Sequence, residues 1–398
     1  MVPERLKPLD GLRGIAILLV MLVHFGHGTH HNPLVHLLFK AAYAGWVGVD
    51  LFFVLSGFLI TRILLATRTS PFFFRDFYMR RVLRIFPLTY GVLTVVLLLA
   101  PLVMRAGAPP AGPSPAWLWL YASNIYPLVT GDWFNAPNVL GLNFGHFWSL
   151  GVEEQFYLLW PLIVWRIDPR NLPRLCGVLA FSCICLRLVF VAEGVSPNAI
   201  YTFTLCRMDA LLAGAWIAGF AATGGRLARG VPLARLLAVV CLAVLIGSMI
   251  ATGNTFWPGR FMQTAGYSLL AILFGAVVVL AIAAPESSLG RRLLESRILT
   301  FFGTYSYGLY VLHALLWPLF DRGALSVESL SARLHSYLLG VVAHASVAAA
   351  ASIAAAILSW HLYESRFLKL KRYFNYSGDE RLPPEIPPLA TASRRPGG

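Results

Sequence analysis

Acidic residues are scarce in this chain: 18 Asp and Glu stand against 32 Lys and Arg in 398 residues. Cysteine is scarcer still, with five, an odd number. Cys176, Cys183, Cys185, Cys206 and Cys241 all lie in apolar stretches, so neither a disulfide framework nor a CxxC metal site is indicated. They read as small packing residues. Charged residues make up only 13% of the chain against 58% hydrophobic ones, and the mean hydropathy is +0.68. That balance excludes an ordinary water-soluble domain and indicates an integral membrane protein. The net charge of +14 is not gathered on a soluble face, so nucleic acid is not an expected partner. No internal repeat is evident, which weighs against an inverted-repeat transporter.

What is abundant is apolar sequence in runs of about 20 residues, each long enough to cross a roughly 30 Å hydrocarbon layer as a helix. The runs predict an all-α, polytopic protein of about ten transmembrane helices, at roughly 11–29, 44–66, 85–104, 146–166, 173–192, 200–222, 234–252, 262–284, 298–320 and 338–361. The first run leads into a histidine-rich loop and not into a small-residue cleavage site, so this helix is expected to be retained. An even number of crossings puts both termini on one side. With that side cytoplasmic, inner segments hold about 25 of the 32 Lys and Arg, and outer loops about five: Lys40, Arg105, Arg260, Arg322 and Arg333. The expected location is the plasma (inner) membrane, with membrane lipid as surroundings. Residues 1–372 form one transmembrane domain, and the proline-rich, polar segment 373–398 is expected to be a disordered cytoplasmic tail.

The two remaining arginines, Arg187 and Arg207, fall inside helices, where a charge costs at least a few kcal/mol and needs a partner. Other ionisable groups are also placed at depth. In LDGLRGIAILLVMLVHF (9–25), Arg13 and His24 are eleven residues apart, so they share one helix face about 16 Å apart along the axis. VGVDLFFVLSGFLIT (47–61) carries Asp50 with Ser56 and Gly57 deeper. In HFWSLGVEEQFYLLWP (146–161), His146, Ser149 and Glu153 form a polar stripe, and Glu154 points about 100° away. The sixth helix brings Arg207 and Asp209 about 200° apart, facing different neighbours. YSYGLYVLH (305–313) places Ser306, Tyr310 and His313 on one stripe. Ionisable groups on five helices exceed what packing requires and point to an internal polar site.

FRDFYMRRVLRIFPL (74–88) adds Arg75, Arg80, Arg81 and Arg84 at the inner end of the third helix. The cluster reads either as solvated positive-inside charge or as a cradle for a phosphorylated cytosolic ligand, since guanidinium forks match phosphate. The long outer connection, about 105–145, mixes Trp117, Trp119, Tyr121 and Trp133 with Asn124, Asp132, Asn135 and Asn138. It suits either a carbohydrate-like ligand or an interfacial aromatic belt with a re-entrant turn. HFGHGTHHNPLVH (24–36) pairs His27 with His31 at i,i+4, but nothing completes a ligand set and no metal is expected.

LDGLRGIAILLVMLVHF, DLFFVLSGFLI, FYMRRVLRIFP, HFWSLGVEEQFYLLWP, RMDALLAG and YSYGLYVLH, in this order, resemble the membrane-bound acyltransferase 3 family. The resemblance runs over about 5 to 370. It implies a membrane-embedded O-acyltransferase that takes an acyl group, acetyl in the first instance, from cytosolic acyl-CoA. The acceptor it implies is a hydroxyl of a sugar-containing molecule at the outer face: an exported glycan, a lipid-linked sugar or a macrolide. Acyl-CoA is a co-substrate, and no bound cofactor is implied. Arg13 and His24 match the family's Arg-x10-His element, Arg80, Arg81 and Arg84 its basic motif, and Glu153 and Glu154 its paired carboxylates. The SGNH-type esterase domain of some members does not follow here, so no relay to a second domain is expected. The family's glutamate–proline pattern after the last helix is altered, with Ser365 and Arg366 following Glu364.

The resulting expectation is that His24 acts as general base toward the acceptor, or as a transient acyl carrier, with Asp50 or Glu153 orienting the ring. Arg13 neutralises donor phosphate, Arg80, Arg81 and Arg84 bind the donor, and Arg207 supports oxyanion charge. Glu154, Ser149, Asp209, Tyr310 and His313 line the site. The rival expectation is a proton-coupled exporter of a glycan or drug, for which buried His and carboxylate relays are equally natural.

Overall fold

A computed structural model describes residues 6–26, 33–99, 112–135, 142, 144–224, 227–252, 258–321 and 323–375. All regular structure among them is helical. In lipid every backbone N–H and C=O needs an internal partner, and the helix supplies one within each segment. Ten long helices form the body: α1 (Lys7–Phe25), α2 (Gly48–Thr67), α3 (Phe73–Leu93), α4 (Trp148–Arg166), α5 (Leu172–Ala192), α6 (Thr204–Ala222), α7 (Val231–Thr252), α8 (Tyr267–Ala283), α9 (Arg297–Phe320) and α10 (Tyr337–Ser359). Eight have the length and apolar composition to cross a membrane. The other two, α4 and α9, are long enough at 19 and 24 residues, about 28 and 36 Å. Their lower hydropathy comes from Ser149, Glu153, Glu154 and Gln155 on one and from Ser306, Tyr307, Tyr310 and His313 on the other.

The ten long helices among the described residues agree in number with the apolar runs, and their ends differ where polar sequence continues a helix. α3 starts at Phe73, well before 85, so Arg80, Arg81 and Arg84 stand on the helix itself; arginine is a good helix former. Helical structure precedes α2 over Pro33–Tyr43 and a 3-10 turn at Ala44–Val47. The sixth crossing is broken: Phe203 adopts extended backbone (φ −69°, ψ 128°) between a short helix, Pro197–Thr202, and α6. Wider π-type turns extend α3 over Thr94–Leu99, precede α8 over Met262–Gly266 and follow α10 over Trp360–Glu364. His27, His31, Asn138 and tail residues 376–398 lie outside the described residues.

Close packing depends on glycine at two contacts. On the α1–α9 contact, a Cβ at Gly14 would strike the carbonyl oxygen of Leu299, and one at Gly303 that of Asp10. On the α2–α6 contact, a Cβ at Gly57 would strike the Leu211 oxygen and one at Gly214 the Val54 oxygen. Apolar burial gives little drive between helices in lipid, so such close approach carries the association. Both pairs run parallel, which brings His24 level with His313 and Asp50 level with Arg207. The Arg80 Nη1 donates to the carbonyls of Lys371 and Phe374, both at 3.3 Å. The start of α1, the arginines of α3, the start of α9 and residue 374 therefore share one end of the bundle.

Between α3 and α4 the connection dips back into the protein. It forms short helices at Ala116–Trp119 and Tyr126–Thr130, and Asn124 is completely buried. The Asn124 amide donates to Thr204 Oγ1 (2.8 Å), Gln155 Nε2 donates to Tyr121 O (3.0 Å) and Asn124 Oδ1 (2.9 Å), and Thr202 Oγ1 donates to Asn124 O (3.0 Å). Trp119 stacks on Tyr90, Tyr121 on Phe86 and Trp133 on Tyr201, with ring centroids 5.5, 5.5 and 6.2 Å apart. Protein rings thus cover these aromatic faces, the arrangement of a re-entrant belt.

Candidate functional site

One cavity of about 110 Å³ links residues from α1, α2, α3, α4 and α9. At the end of the bundle that holds the chain start, Arg13, Arg81 and Arg84 line it. Arg13 lies 3.7 Å from Asp10, its neighbour one turn back, with its side chain 36% exposed. The Arg84 guanidinium sits 5.5 Å over the Trp360 ring and within electrostatic reach of buried Glu364. Arg81 Nε is buried with no hydrogen-bond partner among the described residues. Arg80 faces the other way, toward the carbonyls after α10. Of the four arginines in this segment of sequence, two reach the cavity.

Deeper in, Ser149, Glu153 and Tyr157 follow each other at i,i+4 on α4, and all three line the cavity. The Ser56 and Tyr157 hydroxyls hydrogen-bond each other, and Glu153 lies against both, within electrostatic reach of Arg13 and Arg81. Glu154 also lines the cavity, beside Glu153 and within reach of Arg81. Two carboxylates thus face the guanidiniums across the same space.

The far wall is a hydroxyl layer. Ser149 and Tyr310 hydrogen-bond each other, and the Tyr310 hydroxyl donates to the carbonyl of His146 at 3.0 Å. Behind this layer three imidazoles meet edge to face. His146 and His313 have ring centroids 5.3 Å apart, and His313 and His24 4.7 Å apart with an interplanar angle of 82°. His24 Nδ1 is 3.3 Å from His313 Nε2 and 2.8 Å from Val20 O. His24 is half-buried, His313 fully buried, and neither lines the cavity. The expected stripe from Arg13 to His24 is therefore divided: the arginine opens onto the cavity, and the histidine lies one hydroxyl layer beyond it.

The remaining charged candidates belong to a separate layer. Arg207 Nη2 donates to Asp50 Oδ1 at 2.7 Å, and Arg187 Nη1 to Asp209 Oδ2 at 2.9 Å, with all four residues buried. Arg207 also lies 4.0 Å over Tyr267 and 4.9 Å over Tyr201, and Ser268 bridges Arg187 and Asp209. Arg207 and Asp209 do face different neighbours. Asp50, expected beside His24, is instead placed against Arg207, and neither lines the cavity; the parallel α2–α6 contact dictates this. His146, Tyr157, Trp360 and Glu364 join the site without having been singled out as site residues. His146 was legible as one end of the α4 stripe, whereas Trp360 depends on the turn after α10.

The acyltransferase-domain family matches residues 7–361 of the chain. Peptidoglycan O-acetyltransferase OatA of Listeria monocytogenes is 30% identical over 329 residues, covering 77% of this chain and 48% of that protein. O-acetyltransferase OatA of Staphylococcus aureus is 29% identical over 328 residues, covering 78% of this chain and 50% of that protein. The chain thus spans about half the length of the curated relatives it matches. No solved structure matches it.

Proposed function

The chain belongs to the acyltransferase-domain family, and on that premise we propose that it is a membrane-embedded O-acyltransferase. It moves an acetyl group from cytosolic acetyl-CoA to a sugar hydroxyl at the outer face of the plasma membrane. The observation that carries this reading is a cavity with guanidiniums at one end and, at the other, a hydroxyl layer backed by imidazoles in edge-to-face contact. Arginine forks suit the donor's phosphates. A volume of about 110 Å³ fits a slender arm and falls well below the roughly 300–1,000 Å³ of a typical ligand pocket. A bulky glycan therefore stays outside, at the histidine end, and only the donor's arm occupies the interior.

In the transfer step the acceptor oxygen attacks the thioester carbonyl carbon, the carbon–sulfur bond breaks, and the thiolate departs toward Arg13, Arg81 and Arg84. The Ser149–Tyr310 hydroxyl pair stands between the cavity and His24, so this step requires that pair to part as the thioester arrives; the acceptor's hydroxyl proton then passes to His24 as the new ester bond forms. Asp50, Arg207, Arg187 and Asp209 hold the scaffold. Glu153 holds the Ser56 and Tyr157 hydroxyls and supplies the negative charge between them and Arg13 and Arg81 beside the donor's path. The peptidoglycan named for the Listeria relative makes its glycan strands the acceptor to try first.

The test is full-length protein in proteoliposomes, supplied with radiolabelled acetyl-CoA on one side and soluble peptidoglycan fragments on the other. Label appearing as an alkali-labile ester on sugar, and absent with His24→Ala, is the expected result. Intact acetyl-CoA with glycan crossing the bilayer would replace this reading by the exporter.

A further inference from the structure

We propose that His313 is the positioning residue that orients His24 and accepts its Nδ1 proton in a hydrogen bond, the place expected for a carboxylate. The inference rests on the reading of His24 as the base and adds its partner.

The backbone carbonyls decide where the protons lie. His313 Nδ1 is 3.0 Å from Leu309 O and 2.9 Å from Tyr310 O. A carbonyl oxygen only accepts, so Nδ1 carries the hydrogen and, in a neutral ring, Nε2 carries the lone pair. The ring is wholly buried at membrane depth, where a cation is heavily disfavoured. That lone pair faces His24 Nδ1 at 3.3 Å, and Val20 O faces the same nitrogen at 2.8 Å. Both neighbours accept, so His24 must be protonated at Nδ1. Its Nε2 is then the basic nitrogen, the form that takes a proton from a hydroxyl.

The two carboxylates expected to do this work stand elsewhere: Asp50 is bonded to Arg207, and Glu153 lies against Ser56 and Tyr157. A neutral orienter suits the location, because it fixes the ring without adding a net negative charge to a buried site. When His24 takes the proton, the positive charge is shared along the Nδ1–H bond toward His313. Tyr310 carries the chain one step further: its carbonyl holds the His313 proton, and its hydroxyl holds Ser149 at the cavity wall.

Two measurements on the full chain test this. In detergent-solubilised protein with ¹⁵N-labelled histidine, His24, assigned through its loss in His24→Gln, is expected to show the Nδ1–H tautomer; an Nε2–H tautomer overturns the proposal. In the acetyl-CoA and peptidoglycan-fragment assay, His313→Leu removes the accepting atom and is expected to lower kcat about 100-fold with KM for acetyl-CoA unchanged. His313→Gln, whose amide oxygen accepts in the same direction, is expected to recover turnover to within about tenfold of the parent. Melting temperatures of both variants show whether the fold is kept. A folded His313→Leu at parental kcat, or a folded Gln variant no better than Leu, overturns the positioning role. Full activity of His24→Gln with the Nδ1–H tautomer present would remove the base reading and leave the hydrogen-bond geometry standing, so the two failures are distinguishable.

Discussion

Arg207 on α6 and Asp50 on α2 form an ion pair 2.7 Å long with neither side chain more than 1% exposed. Removing one partner strands a charge, at a cost of about 3–5 kcal/mol, whereas replacing both by apolar groups of similar shape is often neutral. Arg207→Met alone is therefore expected to lower the melting temperature in detergent severely. The double variant Asp50→Leu, Arg207→Met should recover most of it and keep acetyl transfer, because neither residue reaches the cavity. A double variant that is folded yet inactive would bring this pair into the reaction.

Gly57 sets how deeply α2 sits against α6. A methyl group there meets the Leu211 carbonyl, which is backbone and cannot swing aside. Gly57→Ala is expected to destabilise by about 3 kcal/mol, the upper end for overpacking. Gly177, on α5, has open space where a Cβ would stand, with no atom of the described residues within 4 Å. Gly177→Ala should be neutral or slightly stabilising, since alanine favours the helix by up to about 1 kcal/mol. Thermal melts of the pair side by side give the comparison, and equal melting temperatures would contradict the close contact.

Arg81 and Arg84 line the cavity, while Arg80 is engaged with the carbonyls of Lys371 and Phe374. Arg81→Gln removes one charge-assisted bond to an anionic donor, worth about 1.5–3 kcal/mol, or roughly tenfold or more in affinity. The expected outcome is a raised KM for acetyl-CoA with the acceptor KM unchanged. Arg80→Gln should act on stability instead, by loosening the segment after α10. Equal KM effects from the two substitutions would argue for a diffuse positive field in place of a two-residue cradle.

Sequence pattern carried the fold further than the site. Runs of about 20 mostly apolar residues place ten helices, eight of them apolar enough to cross on that ground alone, and helix periodicity puts Ser149 and Glu153 on one face. Partner choice is another matter. Asp50 has the depth to meet His24, and only the parallel α2–α6 contact through Gly57 and Gly214 turns it toward Arg207. His24 and Arg13 share a helix face, yet the Ser149–Tyr310 layer, built from two other helices, separates them. The extended residue at Phe203 and the buried Asn124 are equally invisible in hydropathy, because both rest on hydrogen bonds between residues about 30 to 80 positions apart.

Glu153 and Glu154 are adjacent in sequence, and their surroundings assign them unequal parts. Glu153 lies against Ser56 and Tyr157 and within reach of Arg13 and Arg81, so it meets both the hydroxyls and the charges that flank the donor's path. Glu154, turned about 100° round the helix, lies toward Arg81 and the re-entrant Tyr121. Glutamine keeps the shape of either side chain, removes the charge and exchanges one acceptor oxygen for an amide donor. If the Glu153 carboxylate serves the transfer itself, Glu153→Gln should lower kcat about 100-fold while melting within a few degrees of the parent. Glu154→Gln should cost less than tenfold in kcat. Parental turnover in Glu153→Gln would reduce this carboxylate to a hydrogen-bonding spacer, and equal losses in the two variants would mean that total negative charge in the cavity, not the position of one group, is what turnover requires.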